Sequence, residues 1–451
     1  MYRTLIIHET YNKAFQILSR EFASIQDDGC AFVIVKTEYD SSGNAVYDFM
    51  DIIEYGISIG YSYVNTIVYP TEERTYGAII DNVKYIIWLC KSKNLLYFNK
   101  DAIREKHIWK DVEWGKRGKN YNPKGKDPGN VWIPTEDDNK GHITKHILLT
   151  DDDIISRLIK MTDAYESNLV VYEKKECNTI KPAEKPAENY SKTETKGIVI
   201  FGTSESMPEI ENESVSVAVT SPPYWDLKDY FKKGQIGQEP YEEYLSRMSN
   251  VWKECYSKLK KAGSLWININ IRNRDGKTIL IPKDIIRECK SNGFFYKGIL
   301  IWHKSSGIPT HSKNIVDRHE YVLVFSKSEQ FHADVNIMSQ FCDYKNSAIN
   351  GAAFWNINRK AGSVGKKYIH PAIYPTELVE RIVLCSSNYN DLVLDPFLGS
   401  GTSLIASLAH SRNFVGLEYY EGFEELMMSR YKNEIPRYID SISFIKRSDN
   451  I

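Results

Sequence analysis

The sequence predicts an α/β protein whose chemistry-bearing part is a mostly parallel sheet covered by helices on both faces. Three observations predict it. From Gly197 onward, β-branched runs alternate with segments of helical periodicity, the pattern of consecutive βα units. The two most distinctive loops, Ser221–Tyr224 and Asp395–Thr402, each follow directly on such a run, and open α/β sheets gather ligands at the carboxyl ends of their strands. The stretch before residue 178 repeats the same order of apolar runs and helical segments.

The chain divides at residues 178–195, NTIKPAEKPAENYSKTET, which lack apolar periodicity and read as a semi-extended linker. This leaves blocks at 1–177 and 196–451. In the second block VSVAVTS (215–221) is a strand, and the helical EEYLSRMSNVWKECYSKLKKAG stops at Gly263 before the strand SLWININI. PKDIIRECKSNG is a short helix opened by Pro282 and closed by Gly293. The strands FFYKGILIWH and EYVLVFS follow, then PTELVERIVLCSS (helix), DLVLD (strand), SGTSLIASLAH (helix), NFVGLEYY (strand) and a last helix.

Composition narrows the class. With 451 residues, 42% hydrophobic and 26% charged, the chain has room for two ordinary domains. No apolar run is long enough for a bilayer and the N-terminus lacks a signal-peptide pattern, so a cytoplasmic protein without membrane contact is expected. Cys30, Cys90, Cys177, Cys255, Cys289, Cys342 and Cys385 form no CxxC pair and have no zinc-spaced His partner, so reduced thiols and no metal are expected. The net charge of -1 means that any nucleic acid must be met by a local basic surface.

Two loops carry the chemistry. In Ser221-Pro222-Pro223-Tyr224 the prolines can neither extend a sheet nor enter a helix interior. They stiffen a turn that presents a backbone carbonyl, a hydroxyl and an aromatic face. In Asp395-Pro396-Phe397-Leu398-Gly399-Ser400-Gly401-Thr402, Gly399 and Gly401 allow a tight turn into a helix start with free N–H groups. One strand later Glu418 is placed to accept hydrogen bonds from ribose hydroxyls. A dinucleotide site wants a third glycine where this chain has Leu404 and Ile405.

Together these residues resemble the amino-methyltransferase family of DNA-modifying enzymes, over nearly all of 197–451. GTSESMPEIENESVSVAVTSPPY is similar to the family's lead-in and catalytic loop. HPAIYPTELVERIVLCSSNYNDLVLDPFLGSGTSLIASLAHSRNFVGLE is similar to its cofactor half, in the permuted order of the β group. The resemblance implies a Rossmann-like sheet with S-adenosylmethionine as cofactor. It implies Ser221, Pro222, Pro223 and Tyr224 as the catalytic loop. Asp395, Pro396, Phe397, Gly399, Gly401, Thr402, Glu418, His370 and Thr203 would form the cofactor side. The lead-in departs from the family's Gly-Asp, reading Gly202-Thr203. Double-stranded DNA is the implied substrate and a cognate restriction endonuclease an implied partner. Serine before Pro-Pro goes mainly with N4 of cytosine in this family, and Asp or Asn with N6 of adenine. Adenine-N6 methylation remains an alternative, as does a non-catalytic DNA-binding protein that kept the fold.

The first block aligns with the second in register. Gly29 falls on Gly263, Asp51 on Asp284, Gly60 on Gly293, Tyr85 on Tyr321, His146 on His370 and Arg157 on Arg381. By letters the match begins after the position of the catalytic loop and ends at Tyr172-Glu173, where the other copy has Asp395-Pro396. A degenerate copy is therefore expected at 1–177, packed on the second block as a pseudo-dimer partner. Its divergent segment 100–130 sets Lys116, Arg117, Lys119, Lys124 and Lys126 among Trp109, Trp114 and Tyr121, cations among aromatics that suit phosphate contact and base stacking. Trp225 and Lys304 are further candidates for DNA contact.

Overall fold

The computed structural model describes residues 1–108, 122, 124–173, 194–227, 233–304, 315–331, 333–358, 363–364, 368–369 and 374–447. Almost all of the expected linker, together with Lys116, Arg117, Lys119 and His370, lies outside the described residues.

In the first block the main elements are β1 (Tyr2–His8), α1 (Tyr11–Glu21), β2 (Ile25–Val35), α2 (Phe49–Ser58), β3 (Ser62–Tyr76), β4 (Ile80–Cys90), α3 (Asp151–Thr162) and β5 (Leu169–Glu173). Capping sets two of the helix starts: Asp48 accepts from the Met50 N–H and Asp51 returns to the Asp48 N–H, while Thr150 and Asp153 do the same for α3. The strands form one sheet in the order β3-β4-β2-β1-β5.

The second block contains β6 (Gly197–Phe201), β7 (Val215–Thr220), α4 (Tyr241–Lys258), β8 (Leu259–Ile269), α5 (Ile281–Ser291), β9 (Phe295–His303), β10 (His319–Ser326) and β11 (Phe354–Asn356). These are followed by α6 (Thr376–Ser386), β12 (Leu392–Asp395), α7 (Thr402–Ala409), β13 (Asn413–Glu418), α8 (Glu424–Glu434) and β14 (Ile442–Lys446). They build a nine-stranded sheet, β11-β9-β10-β8-β7-β12-β13-β6-β14, parallel except where β10 runs against β8 and β9. Val217, Val219, Trp266, Val322 and Val324 face one core cluster, and Ala218, Leu265, Ile267, Tyr321 and Leu323 the other. This is the two-faced burial that near-continuous apolar strands anticipate.

The five strands of the first block share the order of β9-β10-β8-β7-β12. The registers coincide as well. Thr4 pairs Cys30 as Val217 pairs Ser264, with the same irregularity before each, from Tyr2 opposite Ile25 and from Val215 opposite Leu259. Cys30 faces Cys90 as Ser264 faces Ser326, and Thr4 faces Leu169 as Val217 faces Val393. One detail differs from the letter-by-letter alignment. The first block does contain the strand that leads to the catalytic-loop position, so His8-Glu9-Thr10-Tyr11 stands where Ser221–Tyr224 stands. YRTLIIH and VSVAVTS share the apolar pattern of a buried strand and no aligned identity, which is why identities alone started the match later.

The blocks meet through α2 and α5. Phe49 stacks on Tyr85 of its own sheet at 4.6 Å and packs tilted against Tyr321 of the other at 5.1 Å. Lys283 reaches Asp51 at 2.7 Å and Asp48 at 3.8 Å, and Arg287 pairs with Glu54. Glu54 and Arg287 are counterparts in the alignment, as are Tyr85 and Tyr321. Direct contact between counterparts is what an approximate two-fold axis through the interface produces.

Candidate active site

Four neighbouring parallel strands, β7, β12, β13 and β6, end on one edge of the large sheet. The loops that leave them carry Ser221–Tyr224, Asp395–Thr402, Glu418 and Gly202-Thr203 in that order. The structure thus brings the two distinctive loops side by side at the carboxyl ends of adjacent strands.

Asp395 is fully buried. It accepts from the Phe397 N–H at 2.9 Å, the Ser403 hydroxyl at 2.5 Å and the Tyr374 hydroxyl at 3.3 Å, so its carboxyl holds the turn together. Burial pushes its pKa up. Gly401 sits at φ +81°, where a Cβ would also overlap the Tyr431 hydroxyl; glycine alone fits both demands. Thr402 is 1% exposed and its hydroxyl accepts from Arg430, which also binds Ser400. The Thr402 hydroxyl thus has a partner within the protein at the start of α7.

Glu418 accepts from the Gly399 N–H and the Tyr420 N–H, each at 2.8 Å. Burial, with the nearby Asp395 adding to it, pushes its pKa up to about 7 against these hydrogen bonds. A buried carboxylate left so short of compensation favours further hydroxyl donors and positive charge. Thr203 follows Gly202, whose N–H donates to the Glu418 carbonyl at 2.9 Å. The Thr203 hydroxyl is engaged with Glu205, which in turn is ion-paired to Arg247 at 2.6 Å.

On the other side, Pro222 is buried and Tyr244 donates its hydroxyl proton to the Pro223 carbonyl at 2.8 Å, which pins the loop. Tyr224 donates to Glu320 Oε2 at 3.0 Å. Asn268 Nδ2 donates to the same oxygen at 2.8 Å and lies 3.4 Å from Ser221 Oγ. Lys304, expected on a DNA-facing surface, is 5% exposed with its ammonium against Glu320. Trp225 is half-buried, its indole N–H on the Glu239 carbonyl and its ring covered by Arg274 at 4.5 Å. Lys124 is exposed and paired with Asp101 at 2.6 Å, and Lys126 lies 3.7 Å from Glu105.

Sequence reasoning missed Asn268, Glu320 and Arg430. A signal was present for two of them: each interrupts an apolar strand, in SLWININI and HEYVLVFS, with a group that is costly to bury without partners.

A DNA methylase family model covering N6 and N4 methyltransferases matches residues 215–429. The chain is similar to the type II methyltransferase M.Cfr9I of Citrobacter freundii, 30% identical over 254 residues, 49% of this chain and 82% of that protein. It is similar to M.SmaI of Serratia marcescens, 29% identical over 267 residues, 52% of this chain and 89% of that protein. Among solved structures, a DNA modification methylase of Thermus thermophilus complexed with S-adenosyl-L-methionine is 26% identical, covering 55% of this chain and 99% of its own, with a TM-score of 0.41. The chain belongs to the DNA methylase family of N6/N4 amino-methyltransferases.

Proposed function

We propose that this protein transfers a methyl group from S-adenosylmethionine to the exocyclic N4 of a flipped cytosine at a specific sequence in double-stranded DNA, as the modification partner of a restriction endonuclease. The observation that carries the reading is the pairing of Ser221–Tyr224 with Asp395–Thr402 at the ends of adjacent parallel strands. The cofactor fits the residues present, because Glu418 is an under-compensated buried acid suited to ribose hydroxyls and a cationic sulfur. When bound, S-adenosylmethionine supplies an electrophilic methyl on that sulfur, which the amino nitrogen takes with loss of one proton while the C–S electron pair stays on sulfur. Glu418 would hold the ribose, and Phe397, Gly399 and Gly401 would shape the space beside it, with Asp395 and Pro396 fixing the turn. Thr203 flanks that space from β6, and His370 is assigned to the same side by resemblance alone.

The chain's own work is positioning. A base amino group is unreachable inside a stacked duplex, so the nucleotide must leave the helix. Tyr224 offers a ring face for the extruded base. The Ser221 hydroxyl and the Pro222 carbonyl accept the two amino hydrogens, turning the nitrogen lone pair toward the methyl group. Orientation of this kind accounts for several kcal/mol of a barrier. Serine at the first position favours cytosine over adenine by family resemblance.

The first block serves as a degenerate methyltransferase half, a built-in pseudo-dimer partner without the chemistry. Its shared sheet order and registers support this, and so does the replacement of Ser221 by His8. Lys116, Arg117, Lys119, Lys124 and Lys126 give it a basic segment for gripping DNA phosphates.

Incubation of unmethylated genomic DNA with labelled S-adenosylmethionine, followed by nucleoside mass spectrometry, tests the reading. N4-methyldeoxycytidine is expected. N6-methyldeoxyadenosine would overturn the choice of base, and the absence of any methylated nucleoside would overturn the activity.

A further inference from the structure

Behind the Ser221–Tyr224 loop lies a closed polar set that the reaction as described does not use. Glu320 stands near the start of β10, with one oxygen accepting from Tyr224 at 3.0 Å and Asn268 at 2.8 Å and the other against the Lys304 ammonium. A carboxylate can only accept, so these partners must donate. That directs the Tyr224 proton toward Glu320 and orients the Asn268 amide with Nδ2 inward. The same Nδ2 then faces Ser221 Oγ at 3.4 Å. Asn268 is 4% exposed, and its Oδ1 has no partner among the described residues. The amide is therefore held by its donor side alone, and Glu320 decides which way it points.

We propose that Glu320 is a positioning residue for methyl transfer, kept ionised by Lys304 so that it fixes the Tyr224 ring and, through Asn268, the Ser221 hydroxyl. The inference rests on the reading of Ser221–Tyr224 as the loop that receives the base. The first block supplies an internal comparison. By sheet register the counterparts of Ser221, Asn268 and Glu320 are His8, Ile34 and Lys84. Lys84 is turned to Asp151 at 2.7 Å. The block that has His8 in place of Ser221, with Tyr11 at the Tyr224 position, also lacks the amide and carries the opposite charge in place of the carboxylate. A carboxylate kept only to pair with a buried lysine has no reason to disappear together with the loop.

Single-turnover methylation of genomic DNA at saturating labelled cofactor, with Glu320→Gln, Tyr224→Phe and the double variant, tests this. Glu320→Gln should lower the rate by on the order of 30-fold, since only orientation is lost, with cofactor affinity by calorimetry and the melting profile close to wild type. Tyr224→Phe should slow the wild type and have little further effect in the Glu320→Gln background. A wild-type rate in Glu320→Gln, or independent effects in the double variant, overturns the proposal. If Glu320→Gln does not fold, Lys304→Met decides. The groups facing Glu320 are Tyr224 and Asn268 on one side and Lys304 on the other, with Asp317, Arg318, His319 and Tyr321 the further titratable residues on its own segment. Without the ammonium the buried carboxyl binds a proton more readily, so the rate of Lys304→Met should rise with pH more steeply than that of wild type. An unchanged profile overturns the proposal. Wild-type protein that yields no methylated base overturns the loop assignment and this inference together; an active wild type with an indifferent Glu320→Gln overturns this inference alone.

Discussion

Glu418 makes the sharpest prediction, because one substitution should move stability and binding in opposite directions. Its pKa rises from an ordinary 4.5 to about 7 in the folded protein. A group whose folded pKa lies above its unfolded value contributes stability that is fully present below about pH 4.5 and lost as pH climbs through 7. Two and a half units correspond to about 3 kcal/mol forfeited by the free protein at pH 8. Glu418→Gln removes that charge but turns an amide NH2 toward the Gly399 or Tyr420 N–H, at about 1–2 kcal/mol. The variant should therefore be more stable than wild type by about 1–2 kcal/mol at pH 8 and less stable at pH 5. Its affinity for S-adenosylmethionine should fall by about 10- to 100-fold, since a buried hydroxyl then lacks its charged acceptor. For wild type, binding should tighten as pH rises through 7 and release a proton from Glu418 below that pH. Chemical denaturation at the two pH values and calorimetry in two buffers of different ionisation enthalpy read these effects. A variant less stable than wild type at pH 8, or wild-type affinity that is flat from pH 6 to 8, would refute the argument.

Other expectations follow from the same geometry. Gly401→Ala must hold φ +81° and fit a Cβ against Tyr431, and should cost at least about 2 kcal/mol in thermal unfolding while also weakening cofactor binding. Lys283→Met leaves Asp48, already at about 6 through burial, without its cation. The loss, on the order of 3 kcal/mol at pH 8, should shrink toward pH 5 as Asp48 protonates, read as melting at both values. Lys116, Arg117 and Lys119 changed together to Ala should weaken DNA binding and flatten its dependence on salt by up to about three counterions; a binding titration with an unchanged salt slope would count against the basic segment.

Most of the architecture was legible because its signals are local. A buried parallel strand such as VSVAVT and a glycine-bounded helix such as PKDIIRECKSNG announce themselves within a dozen residues. The loops were legible for the same reason, since Pro222-Pro223 and Gly399-Ser-Gly401 constrain the backbone whatever surrounds them. The polar machinery behind them was not. Lys304 reads in sequence as a cation available to DNA, and only the pairing of β9 with β10 places it across from Glu320. The Arg430 that donates to the Thr402 hydroxyl comes 28 residues later and carries no local signal.

The pairing of strands also changes what the repeat says. Letters alone set the start of the first copy after the catalytic-loop position, because β1 and β7 share pattern without identity. Register puts His8, Ile34 and Lys84 opposite Ser221, Asn268 and Glu320. The scaffold positions retained in both blocks, Gly60 and Gly293 at φ +107° and +96° and the counterpart tyrosines 85 and 321 around Phe49, all serve the sheet or the shared interface. Ser221, Asn268 and Glu320, at the strand ends, are among the positions that differ, while Tyr224 has Tyr11 as its counterpart. That pattern is the one expected if the first block is the partner half proposed above, with the interface held in both blocks and most of the strand-end chemistry held in one.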